Sequence, residues 1–251
     1  MLDARMNNLL ISLIAGVAGF LVGGQFGSWS TGIVPAIILF IAAWIILMRR
    51  VSKKVETIMI LAGKEFEAGR IEAGKKIVES ARPLGKWQFL LEEQIDGQLG
   101  SVEYMQRNYK VARKILEKAG TRNWQSVGML AAMDIRTGAK DKAVIKMQGV
   151  KKSGKKDPTM WGVLVYSCVQ AGDMDLALQS VTEGLSNKDL SSSAPLLLLK
   201  TALQNGKGKK FKWARAFGQP WLMFFPEQAS NKMLQGQMYA GSKKTYPMPR
   251  R

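Results

Sequence analysis

The feature that most constrains this chain is a stretch without charge: from Met6 to Met48 there is not one Asp, Glu, Lys or Arg. Two apolar runs fill it, Asn8 to Phe26 and Gly32 to Met48, separated by the short polar turn Gly27 to Thr31. Each run approaches the ~20 residues that an α-helix needs to cross a ~30 Å hydrocarbon core. The pattern predicts a transmembrane helical hairpin. Ala15, Gly19 and Gly23 recur every four residues on the first helix, a small-residue stripe of the kind that lets two membrane helices approach closely. Trp29 falls in the turn and Trp44 about one helical turn before Arg49-Arg50, so both can reach an interface where an indole keeps its N–H by water. A cleaved signal peptide competes for the first run, but Asp3 offsets Arg5 and leaves the basic N-terminal region of such a peptide weak.

Charge then orients the hairpin. Its turn is neutral, whereas Arg49, Arg50, Lys53 and Lys54 follow the second run directly, so the positive-inside rule puts both ends in the cytoplasm. The expected location is an integral membrane protein, with a bacterial inner membrane as the setting. The whole chain of 251 residues carries +18, and residues 1–48 contribute only Asp3 and Arg5. All of the excess therefore lies beyond the hairpin. Anionic lipid headgroups are a ready counter-charge there, worth ~1 kcal/mol per nearby Lys or Arg, which makes Arg49, Arg50, Lys53 and Lys54 the candidate lipid contacts.

Three stretches of the remainder align without gaps: LGSVEYMQRNYKVARKILEKA (Leu99 to Ala119), LAAMDIRTGAKDKAVIKMQGV (Leu130 to Val150) and LVYSCVQAGDMDLALQSVTEG (Leu164 to Gly184). Gly100 and Ala131 share one place, Gly138 and Gly172 another at the turn, and Ala112, Ala143 and Ala177 a third on the second helix. The third stretch also has Trp161 ahead of it and Gly172-Asp173 at its turn. A degenerate unit precedes them, Phe66 to Ala81 with Gly69 at the turn, and another follows, Ala194 to Gln204 and Lys209 to Phe217 joined through Gly206 and Gly208.

This pattern resembles the tetratricopeptide repeat, a helix–turn–helix unit of ~34 residues, although the family's proline is displaced or missing. The resemblance implies an all-α chain, an N-terminal transmembrane hairpin followed by a TPR-like solenoid whose first helices line a groove. In the family register the groove positions are Gln94, Ser101 and Tyr104, then Gln125 and Arg136, then Tyr166 and Gln170, then Lys200 and Gln204. The set departs from the Lys/Asn/Arg clamp of the chaperone-binding members, so no chaperone-tail binding is expected. The layout is also similar to HemY-type inner-membrane proteins of bacteria. Four segments result: a hairpin over 1–50, a repeat domain over 51–218, a hydrophobic capping segment over 219–240 built on Trp221, Leu222, Met223, Phe224 and Phe225, and a basic disordered tail over 241–251.

Catalytic chemistry finds little support. The chain has no histidine, which removes His-dependent triads and HExxH zinc sites. Gly149 to Lys156 nearly spells a phosphate loop, but Lys156 stands where a hydroxyl should hold magnesium, and a solvated basic loop is expected instead. Glu92 and Asp96 read as exposed helix carboxylates and Cys168 as a buried, inert thiol. We therefore expect no enzyme activity, no cofactor and no metal. The expected function is a membrane-anchored scaffold or adaptor that binds a protein partner at the cytoplasmic face. The alternative is a basic module that binds nucleic acid or anionic lipid.

Overall fold

In the computed structural model of the chain, residues 7–25, 29–88 and 90–229 are described. They contain thirteen α-helices and no strand. The described residues fall into two compact units, one of residues 1–103 with 110–119, the other of residues 104–109 with everything from 120 onward.

The first unit begins with α1 (Asn7–Gln25) and α2 (Trp29–Glu67), an antiparallel pair. Both are long and apolar enough to span a membrane. Leu10, Leu13, Ile14, Val17, Leu21 and Val22 on α1 are exposed, as are Ile33, Val34, Ile37, Ile38 and Ile41 on α2. Only 6% of the most apolar stretch of α2 is buried, unlike the core helix of a water-soluble protein. The helix starts at Trp29, so Trp29 to Thr31, expected in the turn, are helical; of that turn, Gly27 and Ser28 lie outside the described residues.

Glycines set how closely the two helices meet. A Cβ added at Gly23 would lie 2.8 Å from the Gly32 Cα, one at Gly19 3.1 Å from the Ala36 Cα, and one at Gly16 3.3 Å from the Phe40 Cβ. The contacting stripe is thus Gly16, Gly19 and Gly23, whereas Ala15 is half-buried. At 3.6 residues per turn, spacings of three and four alternate along one face, while a strict four-residue repeat drifts off it.

Position 50 falls inside α2, whose 39 residues extend about 58 Å at 1.5 Å per residue. Past the apolar run the helix becomes amphipathic. Val51 is buried, and buried Ala62 with partly buried Val55, Ile58 and Met59 packs on Val78, Ala81, Leu91, Ile95 and Leu99. Arg49, Arg50, Lys53 and Lys54 occupy its exposed side. Gly69 at φ +76° turns the chain into α3 (Ile71–Glu79), and Gly74 leaves room for the Phe66 ring, which a Cβ would meet at 2.3 Å. A 3-10 turn (Arg82–Lys86), α4 (Leu91–Met105) and α5 (Tyr109–Leu116) follow. Gly100 of α4 packs on Leu116, and Ala112 is fully buried.

The second unit contains the hairpins α6 (Trp124–Arg136) with α7 (Lys140–Gly149), and α9 (Pro158–Ala171) with α10 (Met174–Ser186), the short α8 (Lys151–Gly154) lying between them. Gly138 and Gly172 take φ +83° and +92° at the two turns, a conformation that glycine adopts without a steric penalty. Side chains of Asn123, Asp157 and Asp173 cap α6, α9 and α10, satisfying N–H groups that have no partner within the helix. Ala143 and Ala177 are fully buried where the paired helices touch.

The rest of the unit is α11 (Ala194–Gln204), a 3-10 turn (Gly208–Lys210), α12 (Trp213–Phe217), α13 (Gln219–Leu222) and a last 3-10 turn (Pro226–Gln228). Lys209 to Phe217, expected as one helix, is interrupted because Phe211 is extended. The expected basic loop of Gly149 to Lys156 is largely helical. Lys151 pairs with Glu183 at 2.6 Å and Lys156 with Asp189 at 2.9 Å. The tail over 241–251 and residues 230–240 of the capping segment lie outside the described residues.

Candidate functional site

Within the second unit, three of the nine groove positions meet the capping segment of the same chain. Gly218, at φ +67°, reverses the backbone after α12. Trp221, Phe224 and Phe225 are then buried. Phe224 fills the space over Gly128 of α6, where a Cβ would meet its ring at 2.7 Å, and its ring lies 5.5 Å from that of Trp124. Phe217 does the same over Gly162 of α9. Tyr166 stands edge-on to Trp213, Trp221 and Phe225, with centroids 5.0, 5.4 and 4.7 Å away. Such arrangements add to the area that the rings bury.

The polar end of this contact is built on Arg136, in the last turn of α6. Its guanidinium donates to the Tyr104 hydroxyl, to the Phe224 carbonyl at 2.7 Å and to the Glu227 carboxylate at 2.8 Å. The rings of Tyr104, Tyr109 and Phe225 surround it at 5.3, 5.2 and 5.6 Å, a cation–π setting. The Tyr104 hydroxyl in turn donates to the Phe224 carbonyl. Burial pushes that hydroxyl well above its ordinary range, against the opposing pull of Arg136, so it stays a neutral donor. Burial also works against the Arg136 charge, yet Glu227 and Tyr104 together raise its pKa. The Tyr166 hydroxyl, raised chiefly by burial, accepts from Gln228 Nε2 at 3.2 Å.

Two substitutions separate the buried from the solvated part of this network. Arg136→Ala strips partners from the Tyr104 hydroxyl and the Phe224 carbonyl and is expected to lower stability by about 2–3 kcal/mol. Glu227→Gln keeps an acceptor but removes the charge of a half-exposed partner, and less than about 1 kcal/mol is expected. Urea unfolding of the two variants checks the order.

The other groove positions stand apart from this contact. Gln94, Gln125 and Gln204 are exposed, Gln170 and Lys200 half-buried, and the Ser101 hydroxyl donates to the carbonyl of Gly97 within its own helix. Tyr109, Glu227 and Gln228 were not expected from the sequence. The one available signal was the aromatic density of Trp221 to Phe225, which calls for burial.

The groups at the contact are neutral hydroxyls, a cation and its counter-ion. Asp96, expected as an exposed carboxylate, is buried and held by Arg82 at 2.7 Å. Burial pushes the Cys168 thiol up to about 11, far from the thiolate that a nucleophile needs. Among the described residues no three His, Cys, Asp or Glu side chains gather to hold a metal. No family model, no curated protein and no solved structure matches the chain.

Proposed function

We propose that the chain is a non-enzymatic scaffold, anchored in a membrane by α1 and α2, whose TPR-like helical hairpins bind a protein partner at the cytoplasmic face. The carrying observation is α2, an unbroken helix whose first part exposes apolar side chains and whose second part packs into the first unit. Turn glycines and fully buried alanines at corresponding places support reading the hairpins as repeats of a solenoid. Because Tyr104, Arg136 and Tyr166 hold the chain's own capping segment, partner binding falls to the positions left open to solvent, Gln94 on the first unit and Gln125 and Gln204 on the second, with half-buried Ser101 on the first and Gln170 and Lys200 on the second as further candidates.

A second reading gives the basic surface the working role, toward nucleic acid or anionic lipid. Lys207, Lys209, Lys210, Lys212 and Arg215 favour it, all exposed within nine residues of sequence. Affinity capture of the detergent-solubilised full chain at low and high salt separates the two. A discrete protein retained at high salt, and lost when Gln94, Gln125 and Gln204 are changed to Glu, is expected for the scaffold. Nucleic acid released steeply as salt rises would instead make the charge the working surface.

A further inference from the structure

The antiparallel register of α1 and α2 fixes the depth at which the anchor ends. Gly23 lies against Gly32, Gly19 against Ala36 and Gly16 against Phe40, and at the open end the Asn8 amide reaches the Met48 sulfur at 3.8 Å. The continuous run of exposed apolar side chains reaches Leu10 on α1 and Ile46 on α2; Arg49 and Arg50 follow, exposed, and the next exposed apolar side chains on α2 are Ile60 and Leu61, about three turns further on. At this same level the Asn8 amide donates to the carbonyl of Trp87 and is only 1% exposed. Trp87, whose carbonyl Asn8 reaches, directly follows the 3-10 turn Arg82–Lys86. A part of the first unit far along the sequence is thus brought down to the edge of the apolar belt.

The chemistry gathered at that edge is cationic. Arg49, Arg50, Lys53 and Lys86 are exposed and form no ion pair among the described residues, whereas Arg82 is held by Asp96. On α2 the cations lie beside, not on, the Val51, Val55, Ile58 and Ala62 stripe that packs inward. Glu56 is the sole carboxylate between positions 49 and 64. Half-buried Trp87 supplies the ring type that favours the headgroup layer.

We propose that Arg49, Arg50, Lys53 and Lys86, with Trp87, form a collar that binds the phosphates of anionic phospholipid headgroups. The proposal rests on the membrane-anchor reading of α1 and α2. It adds that the first unit, through the Arg82–Trp87 segment, is itself seated on the headgroup layer. Lipid is favoured over nucleic acid by position: the collar begins where the continuous apolar run of α1 and α2 ends, so a bilayer that covers Leu10, Ile45 and Ile46 brings its phosphates to these cations without further reach.

The test uses the full chain in nanodiscs made from an equal mixture of phosphatidylglycerol and phosphatidylcholine, re-extracted gently, with the retained lipids counted by mass spectrometry. Lys86→Gln is the informative variant, since position 86 lies too far from the span to act as an orientation signal. The wild type is expected to retain phosphatidylglycerol in excess, and Lys86→Gln to lower that excess roughly fivefold. Lys152→Gln, which removes an exposed cation from the second unit, is expected to leave it unchanged. Equal retention of both lipids by a wild-type chain that resists alkaline carbonate would overturn the collar and leave the anchor standing. Release by carbonate would overturn the anchor and the collar with it. Bound nucleic acid lost on Lys86→Gln, without lipid preference, would assign these cations to nucleic acid instead.

Discussion

Trp221→Ala is expected to be among the most damaging single changes in the second unit, at about 3–5 kcal/mol. Its side chain is fully buried, stacked on Trp213, Phe217 and Phe225 with centroids 5.2, 5.5 and 4.8 Å away. Its indole N–H donates to Gln228 Oε1 at 2.8 Å. Truncation opens a cavity lined by rings that are pinned on their other sides, Trp213 and Phe225 by Tyr166 and Phe217 by the bare face of Gly162. Such walls relax little, which places the loss at the large end of the usual range. A fall in Tm of roughly 10 °C is expected in detergent, followed by circular dichroism. Met223, two residues on, is exposed, and Met223→Ala should stay within about 0.5 kcal/mol. Equal Tm values for the two variants would contradict the packing described for the capping segment. The same magnitudes explain why this segment belongs to the core of the unit: releasing Trp221, Phe224 and Phe225 together would cost an amount comparable to the whole stability of a typical domain, about 5–15 kcal/mol.

Gly23→Leu is expected to open the α1–α2 pair. Even a Cβ at this position would sit 2.8 Å from the Gly32 Cα and 3.1 Å from the Thr31 carbonyl oxygen. The obstacles are backbone atoms, which cannot turn aside as a side chain can, so the helices must separate. Thr31, whose hydroxyl donates to the Gly23 carbonyl at 3.1 Å, loses that bond as well. Spin labels at Leu10 and Ile46, both exposed, measure the outcome at the other end of the pair: a narrow distance distribution in the wild type, a broad and longer one in Gly23→Leu. Gly24→Leu is the matched control, because a Cβ at Gly24 meets nothing within 4 Å.

Much of this arrangement is legible from residue spacing. The charge-free stretch, the turn glycines Gly69, Gly138 and Gly172 and the buried alanines Ala112, Ala143 and Ala177 are local signals, each tied to a helix or a turn by rules that operate within a few residues. What escaped depends on contacts between distant positions. Gly16 rather than Ala15 completes the α1–α2 stripe because the partner helix, not the period alone, selects the face. The filling of Tyr104, Arg136 and Tyr166 by Trp221 to Gln228 joins residues more than a hundred positions apart in the case of Tyr104 and Phe224. The family register places those three side chains side by side but carries no information about a segment folding back over them. Lys151 and Lys156 read as solvated because their partners, Glu183 and Asp189, lie about thirty residues away.

The central claim is that α1 and α2 anchor the chain and leave everything after Met48 on the cytoplasmic side. Trypsin digestion of carbonate-washed membrane vesicles, right-side-out against inside-out, tests it most directly, since the basic residues follow the second span at once. The expected result is a chain that remains in the pellet, intact in right-side-out vesicles and cut in inside-out ones down to a fragment that contains α1 and α2. Release into the carbonate supernatant, or cleavage in right-side-out vesicles, would contradict it.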